Sequence, residues 1–163
     1  MNFQKTYKLR INQLLLYLFI LPLIFSCGGG DLEDDYETAI SLKQENKIMD
    51  SNKLLHKIIE SDGVSLELKI KSIFTISQLY YDVKDYPRSI EYFKKLLTEK
   101  IENDYRKKSL FMIAYTYNNH LDMYTDAINY YEKFLLEYKD DDLVPSVEYE
   151  LEQIKKIINK IEN

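Results

Sequence analysis

Residues 69–97 read KIKSIFTISQLYYDVKDYPRSIEYFKKLL, and residues 106–135 read RKKSLFMIAYTYNNHLDMYTDAINYYEKFL: one helical hairpin written twice. Superposed, Ile76-Ser77 falls on Ile113-Ala114, Tyr80 on Tyr117, and Tyr86 on Tyr124. Further on, Ser89-Ile90 falls on Ala127-Ile128, Phe93 on Tyr131, and Leu96-Leu97 on Phe134-Leu135. Self-similarity at this period implies stacked units, because each hairpin leaves an apolar face that only a neighbour can cover. In the first copy Ile73, Ile76, Tyr80 and Val83 recur every three or four residues, the stripe of one helix face. Ile90, Phe93 and Leu97 supply the second stripe. Asp85 stands where it can cap the second helix, and Pro87 falls in its first turn, where a missing amide costs nothing.

A weaker copy lies upstream. Tyr36, Ala39 and Leu42 suit its first helix, and Ile48, Ser51, Leu55 and Ile58 its second, with Asp62-Gly63 closing it. Downstream, Lys139–Asp142 is a polar turn and Pro145 opens a last helix. Its Val147, Leu151, Ile154, Ile158 and Ile161 share one face, while Glu148, Glu152, Lys155 and Lys156 stay wet. One amphipathic helix there would cover the open end of a stack. The competing architecture is a closed helical bundle, which short loops and the same stripes would also serve.

Composition agrees with helices joined by short turns. The chain has 163 residues, 45% of them apolar, with only 4 glycines and 3 prolines. Formal charge is −5. Without the first 26 residues, which carry Lys5, Lys8 and Arg10, 19 basic residues face 27 acidic ones. Such a surface repels phosphate backbones, so no nucleic-acid partner is expected.

The N-terminus reads as an export signal: Lys5, Lys8 and Arg10 precede an apolar run from Leu14 to Phe25 that is too short to span a bilayer as a helix. Cys27 is the only cysteine, so it has no internal disulfide partner. The run Leu23-Ile24-Phe25-Ser26-Cys27 resembles the lipobox of bacterial lipoproteins, with Phe25 departing from the usual small or β-branched residue. That resemblance implies a signal peptide over residues 1–26 and acylation of Cys27, with three acyl chains holding the protein at a membrane. By the same resemblance, Gly28 after the cysteine implies sorting to the outer membrane. Residues 27–35 then form a glycine-rich, acidic tether to a domain spanning residues 36–163.

The repeated residues resemble the tetratricopeptide repeat, which has a 34-residue period. Ile73, Ile76-Ser77, Tyr80, Ser89, Phe93 and Leu96 hold its signature places in one copy. Leu110, Ile113-Ala114, Tyr117, Ala127, Tyr131 and Phe134 hold them in the other. The resemblance implies an all-α, right-handed α-solenoid of about three hairpins plus a C-terminal capping helix. Ser77, Ala114, Ser89 and Ala127 would let paired helices approach closely. Spacing from the weak copy to the next is about four residues longer than the family period, and the last hairpin carries one extra residue within Asn118–Met123.

The resemblance also implies a concave face lined by the first helix of each hairpin. It would carry Tyr36, Ile40, Lys43, Phe74, Gln78, Tyr81, Phe111, Tyr115 and Asn118. Phe74, Tyr81, Phe111 and Tyr115 lie off the core stripe, so they either pack between neighbouring helices or meet a ligand; Tyr80, Tyr117 and Tyr131 belong to the core. Aromatics beside Gln and Asn suit other proteins or extended peptides as partners.

Chemistry is not spelled out. His56 and His120 are the only histidines and have no Cys or Asp at ligand spacing, and no nucleophile, zinc or phosphate-loop motif occurs. Asp140-Asp141-Asp142 lacks the alternating ligands and loop glycine of a calcium loop and reads as a solvated turn. No enzyme, metal site or cofactor is expected. The lipid anchor and tandem repeats together resemble the BamD-type lipoproteins of outer-membrane β-barrel assembly, and the run 127–154 is similar to that family's in style. The resemblance covers residues 27–163, about the N-terminal half of that family. It implies a periplasm-facing scaffold for partner proteins. A cell-envelope adaptor of the Tol-Pal or peptidoglycan-maintenance type, or a surface-exposed lipoprotein, is the alternative.

Overall fold

A computed structural model describes residues 31–98 and 104–161; the leader 1–26, Cys27 and the glycines at 28–30 lie outside the described residues. The described residues form seven helices and no strand: α1 (Leu32–Gln44), α2 (Ile48–Ile59), α3 (Leu66–Asp82), α4 (Tyr86–Thr98), α5 (Asp104–Leu121), α6 (Tyr124–Glu137) and α7 (Val144–Ile161). Helical pattern expected from Tyr36 begins earlier, at Leu32. Asp31 caps the helix by accepting from the Glu33 amide at 3.2 Å, and Glu33, Asp34 and Asp35 lie in the first turn, favourable to the helix dipole. Asp85 caps α4 as expected, accepting from the Arg88 amide at 3.3 Å.

Three hairpins, α1/α2, α3/α4 and α5/α6, turn the same way. Asn46, Lys84 and Asp122 stand 38 residues apart, and each adopts a left-handed φ of 60°, 62° and 52°. Beside each, an amide returns to the preceding helix: Lys47 N to Leu42 O at 2.9 Å, Asp85 N to Tyr80 O at 2.8 Å, and Met123 N to Tyr117 O at 2.9 Å. The third closure spans one residue more, so the extra residue lengthens the turn region without unseating it. Gly63, with φ 79°, closes the first hairpin.

Within hairpins the contact is close because small residues face it. Ser77, Ala114, Ser89 and Ala127 are all 0% exposed, as are Ala39 and Ser51 in the upstream copy. Ser51 Oγ donates to Ala39 O at 2.7 Å and Ser89 Oγ to Ser77 O at 2.9 Å, so the same hydroxyl-to-carbonyl clasp ties helix to helix twice. Each such buried bond contributes about 1 kcal/mol.

Each helix packs on its sequence neighbours, and α1 also touches α3, as α3 touches α5. Among the described residues no helix packs substantially against one further along. This is an open, solenoid-like stack of tetratricopeptide type rather than a closed bundle. One core cluster runs through the second and third hairpins to α7; another joins α1 and α2 to α3. Ile59 and Tyr92 border both. Val147, Leu151 and Ile154 of α7 are buried against the third hairpin, whereas Ile161 at the helix end is exposed.

Candidate functional site

The first helices of the hairpins, α1, α3 and α5, lie side by side, so their outward residues make one shared face. Most of the residues expected there are half-buried, and they bond across from one helix to the next. Tyr36 OH shares a hydrogen bond with Thr75 Oγ1 at 3.1 Å. Lys43 Nζ donates to Gln78 Oε1 at 3.4 Å and lies 3.4 Å from the Asp82 carboxylate. Tyr81 OH shares a 2.8 Å hydrogen bond with His120 Nε2. Asn118, 8% exposed, donates to Glu150 Oε2 of α7 at 2.8 Å. Lys43, Tyr81 and Asn118 occupy the same place in successive repeats. Each reaches past the next helix to the one after it, Lys43 to α3, Tyr81 to α5 and Asn118 to α7, which makes a ladder along the stack.

The aromatics divide. Phe74 packs edge-on against Phe93 (5.6 Å) and against Tyr105 of α5 (5.0 Å), which seats it between helices. Phe111 stacks on Tyr115 at 5.9 Å and meets Tyr131 edge-on at 6.1 Å. Tyr115 and Tyr81 both approach His120, at 6.0 and 5.4 Å, while Tyr86 stacks on that imidazole at 4.3 Å with planes 3° apart. Burial pushes the Tyr81 phenol above its ordinary pKa, reinforced by neighbouring Tyr115, Tyr86 and Asp82. A phenol held neutral is a hydrogen-bond donor and acceptor with a flat apolar body, suited to peptide contact.

A second set of contacts lies on the other side, where α2 meets the next hairpin. His56 Nε2 shares a 2.7 Å bond with Tyr92 OH, and its Nδ1 donates to Asn52 O at 2.8 Å. Tyr80 and Tyr92 form a tilted pair at 5.4 Å. One repeat later Lys94 stands in place of His56. It donates to Tyr117 OH at 2.9 Å and lies 5.3 and 5.6 Å from the Tyr117 and Tyr130 rings. So a basic side chain enters a tyrosine pair at both joints. Spacing alone did not reveal this; the signal was Tyr80/Tyr92 recurring as Tyr117/Tyr130.

Asp141 in the acidic turn is held by Lys107 Nζ at 2.6 Å and by the Leu143 amide at 3.0 Å, a structural role. Among the described residues no group of three or more His, Cys, Asp or Glu could hold a metal ion. No helix among them is long and apolar enough to cross a membrane.

The fold and its shared face define a repeat-built helical stack of the kind that presents surface to other proteins. Residues 108–141 match the tetratricopeptide repeat family model, a stretch covering most of α5, all of α6 and the turn after it. A comparison with curated proteins finds none that matches.

Proposed function

We propose that the protein is a membrane-tethered scaffold that binds other proteins, or extended segments of them, along the face shared by α1, α3 and α5. The observation that carries this reading is the line of half-buried polar and aromatic groups along that face: Tyr36, Gln78 and Tyr81, each held by a neighbouring helix, and Tyr115, stacked on Phe111 of its own helix. Side chains fixed in this way contribute contact area with little further loss of freedom on binding. Acylation at Cys27 moors the domain at the bacterial outer membrane on its periplasmic side, and assembly of β-barrel proteins is the process in which it serves. The lipobox-like run before Cys27 and the repeats together support that placement.

Affinity capture with the lipidated protein from intact cells, after in-cell crosslinking, tests the reading. Recovery of a barrel-assembly subunit is expected, and its consistent absence would overturn the assembly role. Tyr115→Ala with Gln78→Ala should abolish capture while the far-ultraviolet circular dichroism stays unchanged. Palmitate labelling should be lost in Cys27→Ser; labelling that persists would remove the tether.

A further inference from the structure

The joint between the first and second hairpins contains an open cleft of about 550 Å³, away from the face discussed above. Its walls include Ile48 of α2 and Leu79, Tyr80 and Val83 at the end of α3. That volume falls within the roughly 300–1,000 Å³ of ordinary ligand sites. The repeat itself explains why the cleft exists. Ile48 corresponds to Tyr86 one hairpin later, and Val83 corresponds to His120. At the second joint those two rings stack at 4.3 Å and occupy the place. At the first joint the aliphatic pair leaves it vacant, with Val83 50% exposed and Met49 at the rim 86% exposed.

Charge changes with shape. Lys53 stands where the second joint has Glu91, and Arg88 where it has Asp126. Arg88 is held by Asp85 and lies 4.6 Å over the Tyr80 ring, while Lys53 has no ion-pair partner among the described residues. Asn52 replaces the buried Ile90, and its Oδ1 is buried without a hydrogen-bond partner among the described residues.

We infer that this cleft takes an aromatic side chain from a partner peptide whose flanking residues are acidic. The ring fills the place that Tyr86 and His120 fill at the second joint, resting on Leu79 and the exposed edge of Tyr80. The flanking carboxylates lie towards Lys53 and the edge of Arg88. This site is independent of the α1/α3/α5 face.

Fluorescence anisotropy of the full chain with the labelled peptide Asp-Glu-Phe-Asp-Glu-Gly tests the inference. Saturable binding is expected, weakened at least tenfold when the peptide Phe becomes Ala or its acids become Lys. In the protein, the double substitution Ile48→Tyr/Val83→His rebuilds the second joint's ring pair and should abolish binding without lowering the thermal midpoint. Lys53→Glu, a surface change, should weaken binding at least fivefold, and it keeps the test decisive if the double variant fails to fold. Absence of saturable binding to about 1 mM would overturn the proposal. So would equal binding of the Lys-flanked or Ala peptide, or undiminished binding by the ring-filled variant.

Discussion

Tyr131 is wholly buried, yet its hydroxyl has no hydrogen-bond partner among the described residues; burial, with Glu150 and Tyr115 adding to it, pushes the phenol far above its ordinary pKa. The corresponding residue one hairpin earlier is Phe93, equally buried. An unpaired buried hydroxyl costs about 1–3 kcal/mol relative to its solvated state. Tyr131→Phe should therefore raise stability by about 1 kcal/mol in urea unfolding, and a loss of that size would show that the hydroxyl does have a partner. Lys84 presents a different local cost. It holds a left-handed φ of 62° where the other two hairpins use Asn46 and Asp122, residues that tolerate that conformation. Lys84→Asn should stabilise by about 0.5 kcal/mol, read as a shift in the urea midpoint without a change in slope. At this scale the sequence was legible where residue size decides, as at Ser77, Ala114, Ser89 and Ala127. It was less so where a partner decides. Asn118 reads as a groove residue, but its partner, Glu150 of α7, is announced by no local pattern.

Between elements, the hairpin interface depends on those small side chains. Ala114→Leu would force a branched chain into a contact with no space and should cost about 1–3 kcal/mol; circular dichroism melting should show a lower midpoint with helix content retained. The third hairpin and α7 are joined across the acidic turn. Asp141 is held below the usual carboxylate pKa, first by the Lys107 ammonium and then by the Leu143 amide, and Lys107 is raised in return. Because the folded carboxyl has the lower pKa, the pair stabilises fully above the ordinary value near about 4. That stabilisation fades as the pH falls through the lower folded value. Asp141→Asn should lower the thermal midpoint at about pH 7 and show a shallower decline below about pH 4; parallel acid limbs in variant and parent would refute this. The helices themselves were legible from stripes and caps. Val83 was not: it continues the α3 stripe in sequence, yet half of it faces the cleft, because the helix it should have met carries Ile48 where the next joint has a ring.

Across the whole molecule, the repeat decided what could be read. Period, turn position and small-residue contacts all follow from one unit copied, so the stack was legible from two clear copies and one weak one. The joints were not, because each draws on residues from two hairpins, as His56 with Tyr92 and Tyr81 with His120 do. Each helix packs against the one or two that follow it, and clasps such as Ser51 to Ala39 join residues only 12 apart in sequence. Chains dominated by such short-range closure fold quickly, since little entropy is spent bringing distant segments together. Wherever the chain folds, α1 and α2 together already supply both helices of the first hairpin, so the stack can grow hairpin by hairpin from that end.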